Sequence, residues 1–443
     1  MNSRQKQRFL LIVFFIYCVT TFLILFLIQQ NLSVEQNTHF GYEKSWQHEL
    51  KELLSFPYVS SCRWKKGYKR LSEKMLVKLS DDVIMYSAYQ DNRTGTPLVR
   101  IMSALMDGAD ISQLSLWCHF SDDENISLNS YSSSRISFYE MCENHLKPYG
   151  GWILSCELPS NMYEGRQPCF VSVKSETLGN TATLPILRTE PLESNKQIEF
   201  AVCVPPLFGD VSKETIIQFV EMVQQLGASQ IVFYNHSVTR NVDNVLNYYT
   251  SNYIVSVLPW TLSLPPASIW YNGQSIAMND CMYRHMTTIQ NIIFMDLDEF
   301  LIPHSPKATT WGDIVNEVKH DNVCGYSFKS AAFSITSYGK QMDSSPLIAN
   351  LTTRNVFSMY RNKVLVQPYK VLEIGIHHVS RPWPDEKRYT VHNVDPIIAF
   401  IHHYRDCSQI HECGGRVEDR TLVDKYAEQL KKNFHKVYSD SGE

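Results

Sequence analysis

Apolar and polar positions follow two alternating patterns in the second half of the chain. Four apolar runs bounded by turn residues predict strands, at 198–204, 230–234, 254–258 and 292–303. The segments between them carry apolar residues at helical spacing, over 216–226, 242–249 and 274–288. Because strands that alternate with helices form βαβ units, this half is predicted to be an α/β fold with a doubly wound, mostly parallel sheet.

The region before this sheet has a different pattern. Residues 62–174 contain short β-like runs, such as 83–89 and 151–156, separated by polar, turn-rich segments. They predict a smaller β-rich domain, in which no catalytic constellation is visible. Residues 175–197 lack periodicity and contain prolines and mixed charges, which is typical of a linker.

One long apolar run near the amino terminus predicts a transmembrane helix. Residues 9–28 carry no charge, and as a helix they would be about 30 Å long, which matches a bilayer core. Basic residues precede the run and the first charge after it is Glu35, so the positive-inside bias leaves residues 1–8 in the cytosol. A cleaved signal peptide is the alternative, but the run is long for one and no small-residue cleavage site follows. The polar residues 29–61 are then a stem in the lumen.

Composition favours an oxidising compartment and argues against nucleic acid as a partner. The chain has 443 residues, of which 44% are hydrophobic, and this is enough for two folded domains. Its net charge of −4 offers no basic surface to nucleic acid. Ten cysteines follow Cys18, an even set for which an oxidising lumen favours disulfides. Their pairing stays open, and Cys203 and Cys281 also fit buried free thiols.

Two aspartates near the end of the fourth apolar run are the strongest candidates for chemistry. In an extended chain, Asp296 and Asp298 emerge on the same face, and two carboxylates at this spacing can bind one hard divalent cation. They lie where an α/β sheet binds its ligands, so the ion would bridge a nucleotide diphosphate and stabilise it as a leaving group. The alternative is an acidic turn that caps the next helix.

An ordered set of motifs resembles glycosyltransferase family 92. The set comprises segments 202–209, 226–235, 273–284 and 294–300, followed by His-His-Tyr-Arg at 402–405. The resemblance implies a GT-A-like catalytic domain, which we place at 198–425, before a polar tail at 426–443. It also implies a nucleotide-sugar donor, a divalent metal such as Mn²⁺, and a single-pass type II protein of the Golgi membrane. Relatives include inverting β-1,4-galactosyltransferases that use UDP-galactose, some of them acting on the core fucose of N-glycans.

The same resemblance suggests roles for residues around the aspartates. A GT-A site commonly completes its metal shell with a later histidine, for which His403 is the first choice and His402 the second. Only one of them should reach the metal, because neighbours on a strand face opposite ways. Arg405 is a candidate contact to phosphate, since a guanidinium binds phosphate oxygens in a bidentate way. The pair at 377–378 is a weaker histidine candidate.

Further candidates have an equally plausible structural explanation. Pro205 follows the first strand, where related folds hold uracil and ribose, but a proline there also simply ends the strand. Asp280 and Arg284, four apart on the predicted helix, are either donor contacts or an ordinary surface ion pair. The aromatic side chains of Trp260, Trp270 and Tyr271 suit stacking on a sugar, although most aromatic residues pack in cores.

An inverting transfer also needs a general base for the acceptor hydroxyl. Glu373 and Asp395 are our candidates because they lie downstream of the metal-binding segment, and Asp313 and Asp343 fit the same description. The sequence thus predicts a glycosyltransferase that moves a hexose, with galactose the first expectation, to a glycan acceptor. A non-catalytic lumenal glycan-binding protein of the same fold is the alternative. A hydrolase fits less well, since it needs two carboxylates facing each other across the scissile bond.

Overall fold

A computed structural model of the chain shows an antiparallel β-rich part followed by an α/β part. It describes residues 76–108, 114–122, 132–158, 168–188, 197–265, 267–335, 345–384, 388–407 and 416–441. All of these residues belong to one compact unit, residues 57–443. The predicted tail, anchor and stem (1–61) lie outside the described residues. No helix within the described ranges is long and apolar enough to cross a membrane.

The β-rich part is a sheet that closes on itself. Its strands are β1 (Val77–Lys78), β2 (Val83–Asp91), β3 (Leu98–Met106), β4 (Leu116–Ser121), β5 (Ser132–Glu140), β6 (Tyr149–Glu157), β7 (Phe170–Ser175) and β8 (Thr181–Leu187). The order is β1-β2-β3-β6-β5-β4-β7-β8, and β8 also pairs with β2. Apolar side chains from both ends of this order fill the interior, and a disulfide between Cys118 and Cys156 joins β4 to β6.

The α/β part begins with three βα repeats. They are β9 (Ile198–Cys203), α1 (Lys213–Gln225), β10 (Gln230–Asn235), α2 (Arg240–Ser251), β11 (Val255–Pro259), α3 (Gln274–His285) and β12 (Ile289–Phe294). The four strands lie in the order β11-β10-β9-β12 and all pair in parallel. Parallel strands are covered on both faces, which explains why they appear in the sequence as continuous apolar runs. The predicted α/β class is confirmed here.

The remaining elements extend this sheet and add a second one. They are β13 (Glu299–Pro303), α4 (Trp311–Glu317), β14 (Val323–Phe328), β15 (Ser330–Ser334), β16 (Thr353–Phe357), β17 (Lys363–Val366), β18 (Val371–Ile374), β19 (Val379–Pro382), β20 (Thr390–Asn393), β21 (Ala399–Arg405), β22 (Val417–Glu418) and α5 (Thr421–Asp440). The first sheet continues as β12-β17-β14-β20, in which β17 is antiparallel to both neighbours. The second sheet has the order β13-β21-β15-β16-β22, and β18 pairs with β19.

Helices cover the first sheet from both sides. Side chains of α1, α2 and α5 share one apolar core with β9 and β10. Helix α3 lies against the β-rich part, contacting β2, β3 and β6 as well as β12, and every one of its residues is buried. A disulfide between Cys203 and Cys281 ties α3 to β9, so the free-thiol alternative for these two cysteines is excluded.

Three predicted boundaries need correction. Residues 175–197 are not a linker throughout, because strand β8 (Thr181–Leu187) lies within them, is largely buried and pairs with β7 and β2. The stretch 292–303 is not one strand, because β12 ends at Phe294 and β13 begins at Glu299 in the other sheet. The aspartates therefore lie in the turn that connects the two sheets and not on an extended strand. Helix α5 crosses the boundary predicted between residues 425 and 426, since its buried side chains recur at helical spacing up to Val437.

Candidate functional site

A cleft of about 750 Å³ opens beside the turn between β12 and β13. Elements from both sheets line it, and the hairpin between β5 and β6 contributes from the β-rich part. The acidic and basic residues of the lining are Glu143, His145, Asp296, Asp298, Glu299, Arg361, His377, His403, Arg405 and Asp406. The structure thus brings together seven of the candidates from the sequence analysis, namely Trp270, Tyr271, Asp296, Asp298, His377, His403 and Arg405.

Asp298 and His403 form a pair suited to holding a metal ion. Strands β13 and β21 are antiparallel, with Glu299 opposite His403, and this register brings the histidine next to the turn. His403 Nε2 lies 3.2 Å from Asp298 Oδ2. Two ligands about 2.1 Å from one ion are typically about 3 Å apart, so little movement is needed to admit it. Carboxylate oxygens with one imidazole nitrogen therefore fit a divalent cation here.

The ring of His403 is electrostatically tied to the acidic turn. Burial lowers the pKa of this imidazole, but the hydrogen bond to Asp298 and the charges of Asp298 and Glu299 outweigh burial and raise it above its ordinary value. A divalent ion held here by Asp298 and His403 would take the place of that proton, since only the neutral ring is a ligand.

Asp296 is held by a buried lysine. Lys363, at the start of β17, is almost fully enclosed and places its Nζ 2.7 Å from Asp296 Oδ2 and 2.8 Å from Glu299 Oε2. Burial acts to raise the pKa of Asp296, but the charge and hydrogen bond of Lys363 outweigh it and lower that pKa. Burial and the charges of Asp296 and Asp298 raise the pKa of Glu299 to about 7, against the opposing charges of Lys363 and His403. A divalent cation beside these carboxylates would add positive charge.

One wall of the cleft carries aromatic side chains on a constrained backbone. The rings of His145 and Trp270 stack with centroids 4.2 Å apart. Tyr271, half-exposed beside them, has a φ of 44°, followed by Asn272 at 52° and Gly273 at 84°. Three successive left-handed residues cost conformational energy that the surrounding fold must supply, and such segments concentrate at functional sites. A Cβ at Gly273 would lie 2.5 Å from a methyl carbon of Leu262, so only glycine fits.

His402 faces away from the cleft. It is fully buried on the other face of β21 and lies 2.8 Å from His304, with Asp419 completing a possible ligand group. The carboxylate of Asp419 already pairs with Arg354 at 3.2 Å. This cluster joins the segment before α5 to the second sheet, and the structure assigns the cleft position to His403.

Asp280 and Arg284 are not part of the cleft lining. Asp280 is fully buried between α3, β2 and β10, where it accepts hydrogen bonds from Tyr89 at 2.5 Å and Tyr234 at 2.6 Å, and from Ser87. Arg284 is buried as well and pairs with Asp280 at 3.1 Å. The predicted alternatives, donor contact or surface pair, are both replaced by an internal network that joins the two parts of the molecule.

Three other candidates also lie elsewhere among the described residues. Glu373 is buried and accepts hydrogen bonds from Tyr139 and from the backbone N–H of Cys142. Asp395 accepts from the backbone N–H of Ile397 and lines a separate cavity. Pro205 is buried beyond the end of β9 and is not among the residues of the cleft lining. The structure therefore places none of these three in the lining of the cleft.

The structure describes one of the two remaining candidates for the base, Asp313, and the role of Asp343 stays a prediction. Asp313 caps the start of α4 by accepting from the backbone N–H groups of Thr309 and Thr310. Asp343 lies outside the described residues.

Several residues in or beside the cleft were missed by the sequence analysis. Glu299 directly follows Asp298 in the sequence, and this position next to the acidic pair could have identified it. Lys363 opens a short buried strand, where a lone lysine is unusual and indicates a charged partner. Glu143 and His145 come from a hairpin of the β-rich part, and nothing in the local sequence marks them.

The chain is similar to known glycosyltransferases in sequence. The family model described as "Glycosyltransferase family 92" matches residues 198–438. The Caenorhabditis elegans protein named "Beta-1,4-galactosyltransferase galt-1" is 25% identical over 371 residues, which cover 82% of each chain. A second protein of that organism, "Glycosyltransferase family 92 protein F13G3.3", is 21% identical over 47% of this chain and 42% of its own.

Similarity to solved structures is weak. The mannosyltransferase PcManGT of Pyrobaculum calidifontis is 10% identical with a TM-score of 0.29, covering 57% of this chain and 77% of that one. Glucosyl-3-phosphoglycerate synthase of Mycobacterium tuberculosis is 11% identical with a TM-score of 0.26, covering 55% and 80%. These scores are too low to say anything further about this chain.

The sequence similarities define the class of the protein as an enzyme, a glycosyltransferase. The α/β fold with an acidic cleft beside its sheet agrees with that class. Since the family model covers more than half of the sequence, the chain belongs to glycosyltransferase family 92. The resemblance derived from the motifs is thereby confirmed.

Proposed function

We propose that this glycosyltransferase is a GT-A-type enzyme that transfers galactose from UDP-galactose to a glycan acceptor, with inversion and with a divalent ion such as Mn²⁺. The relative named as a β-1,4-galactosyltransferase supports the choice of sugar. The core fucose of N-glycans is the proposed acceptor. The predicted apolar segment 9–28 supports a type II anchor in the Golgi membrane, with the catalytic part in the lumen.

One observation carries the proposal: Asp298 and His403 face each other at 3.2 Å at the edge of the cleft. Together with Asp296 they offer oxygen and imidazole ligands to one divalent ion. When bound, such an ion supplies positive charge that offsets the diphosphate of the donor and eases its departure. The candidate ligands lie beside a cavity of about 750 Å³, which is within the usual range for small-ligand sites.

The other cleft residues have supporting roles in this reaction. Arg405, two residues after His403 on the same strand, binds the diphosphate through its guanidinium. Lys363 keeps the Asp296 carboxylate ionised and fixed in position. Trp270 and Tyr271 provide ring faces on which a sugar can stack. These groups orient the donor, and a well-oriented donor lowers the barrier by avoiding the entropy cost of bringing the reactants together.

The test is a transfer assay with the full chain in detergent. UDP-galactose, Mn²⁺ and a mixture of N-glycan acceptors are supplied, and galactosylated product is measured by mass spectrometry. Asp298→Asn should lower turnover by at least about 100-fold, because it removes a ligand and a charge from the metal. Asp424→Asn, which changes an exposed carboxylate on α5, is the matched control and should leave turnover unchanged.

Two outcomes would overturn the proposal. One is that wild-type protein consumes no UDP-sugar with Mn²⁺ present and Asp298→Asn changes nothing. The other is that calorimetry shows tight glycan binding without nucleotide or metal, which would favour the non-catalytic glycan-binding alternative. A thermal shift with UDP and Mn²⁺ gives an independent measure of donor binding, since a ligand at 100 times its Kd stabilises a protein by about 2.7 kcal/mol.

A further inference from the structure

The cleft contains more carboxylates than the donor and the metal require. Asp296 and Glu299 pair with Lys363, and Asp298 pairs with His403 at the proposed metal site. Among the described residues that line the cleft, this leaves Glu143 and Asp406. An inverting transfer needs one carboxylate that is free to accept the proton of the acceptor hydroxyl.

Glu143 is held firmly and still presents one oxygen atom for reaction. Its Oε2 accepts the backbone N–H of Ile376 at 2.5 Å, and its side chain is 16% exposed. Gly375 leaves room for this contact, since a Cβ there would lie 3.0 Å from Oε2. The other oxygen, Oε1, lies 4.0 Å from Nδ1 of His378, beyond hydrogen-bond distance, and no described residue donates a hydrogen bond to it.

The hairpin that carries Glu143 is fixed to the α/β part by Glu373. The carboxylate of Glu373, on β18, accepts the Tyr139 hydroxyl at 2.6 Å and the backbone N–H of Cys142 at 2.9 Å. Cys142 directly precedes Glu143, so this contact sets where Glu143 enters the cleft. Glu373 is accordingly a positioning residue.

Asp406 is less suited than Glu143 to accepting the proton of the acceptor hydroxyl. It is exposed, and it follows the last residue of β21, whereas Glu143 is largely enclosed and anchored through one oxygen. A preorganised group is the more effective base, since small displacements of a catalytic group are costly. Glu143 also comes from the β-rich part, whereas the metal-ligand candidates come from the α/β part. In an inverting displacement, the base and the leaving group lie on opposite sides of the anomeric carbon.

We propose that Glu143 is the general base, so that the β-rich part completes the active site of the family 92 domain. This inference rests on the proposed function. The acceptor oxygen forms a bond to the anomeric carbon as the bond from that carbon to the diphosphate oxygen breaks. The electron pair of the broken bond leaves with the nucleoside diphosphate. The hydroxyl proton passes to Oε1 of Glu143.

The test compares Glu143→Gln with wild-type protein as full chains, with UDP-galactose, Mn²⁺ and the acceptor mixture. Turnover should fall by about 10²–10⁴-fold, the usual contribution of a general base. The affinity for UDP with Mn²⁺, measured by calorimetry, should stay within about threefold, since the base does not contact the nucleotide.

Controls separate a catalytic loss from a structural one. Glu140→Gln changes an exposed carboxylate on β5 that is absent from the cleft lining, and it should retain full turnover. Glu143→Asp keeps the carboxylate, so it should give an intermediate rate, and it replaces Glu143→Gln if the latter does not fold.

Three results bear on the assignment in different ways. The assignment is overturned if Glu143→Gln keeps more than about a third of wild-type turnover, far above the loss that a base produces. It is also overturned if Asp406→Asn, and not Glu143→Gln, lowers turnover by about 100-fold or more. If wild-type protein binds no UDP with Mn²⁺, the proposed function itself fails, and that result is distinguishable because it does not involve Glu143.

Discussion

Replacing Asp280 with asparagine tests whether this carboxylate stabilises the fold or binds the donor. Its two oxygens accept from Ser87, Tyr89, Tyr234 and Arg284, all of which are donors. Asparagine keeps one acceptor oxygen but turns an NH₂ group toward the same donors. It also leaves the guanidinium of Arg284 without its counter-charge.

The expected loss of stability on replacing Asp280 follows from the burial of its hydrogen-bond and ion-pair partners. Arg284 is 4% exposed, so water cannot replace the lost carboxylate. Removing one member of a buried ion pair costs about 3–5 kcal/mol. A buried hydroxyl such as that of Tyr234, if left without an acceptor, adds to this cost, although relaxation of neighbours offsets part of it. We therefore expect a loss of about 3–5 kcal/mol, a large part of the roughly 5–15 kcal/mol by which a folded domain is stable.

Urea unfolding followed by tryptophan fluorescence measures this loss. The matched control is Asp424→Asn, because Asp424 pairs with Arg420 across the same four-residue spacing at 3.1 Å, but both side chains are more than half exposed. An exposed pair of this kind is worth less than about 1 kcal/mol. The folded Asp280→Asn protein should bind UDP with Mn²⁺ within about threefold of wild type, since distant sites contribute independently.

Two results would refute the reasoning about Asp280. A loss of stability no larger than that of Asp424→Asn would show that the network does not stabilise the fold. Unchanged stability together with a tenfold loss of nucleotide affinity, equal to about 1.4 kcal/mol, would instead restore the donor-contact role.

Three further predictions concern stability. Lys363→Met leaves Asp296 and Glu299 without their counter-charge and should cost about 3–5 kcal/mol in metal-free urea titrations; recovery on adding Glu299→Gln would confirm the cause, and no recovery would contradict it. Replacing Cys203 and Cys281 together with serine should cost about 2–5 kcal/mol in the same titration; an unchanged midpoint would show that this disulfide does not stabilise the fold. Burial lowers the pKa of His285 to about 3, so the unfolded state binds an extra proton between about pH 3 and 6.5, and acidification should cost about 1.4 kcal/mol per pH unit in that range. His285→Phe should flatten this dependence, and an equally steep curve would refute it.

The α/β part and the acidic pair could be predicted from local sequence. Strands β9, β10 and β12 are buried over most of their length, so they appear as largely apolar runs, and the helices between the strands show their own period. Asp296, Asp298 and His403 lie within short motifs, and the strand alternation that separates His403 from His402 is a local property. The prediction of one continuous strand over residues 292–303 was wrong. The chain changes sheet after Phe294, and this change depends on which strands lie nearby.

The burial and the partners of charged residues in the interior could not be predicted from the sequence. Asp280 and Arg284 have the spacing of a surface ion pair, and only the packing of the β-rich part against α3 shows that they are buried. Glu373 has no local sign that it accepts from the Cys142 backbone 231 residues away. Lys363 became interpretable only when β17 was found beside β12, which brings its ammonium to Asp296.

The sequence by itself determined the sheet of the α/β part, the acidic turn at its edge and the family, since these depend on patterns within a few dozen residues. The tertiary structure alone decided which charged groups face the cleft and which are enclosed, because solvent access and partner distance arise from contacts between residues far apart in the chain. It also decided that a hairpin of the β-rich part contributes Glu143 to the cleft, because local sequence does not determine which surface a hairpin packs against.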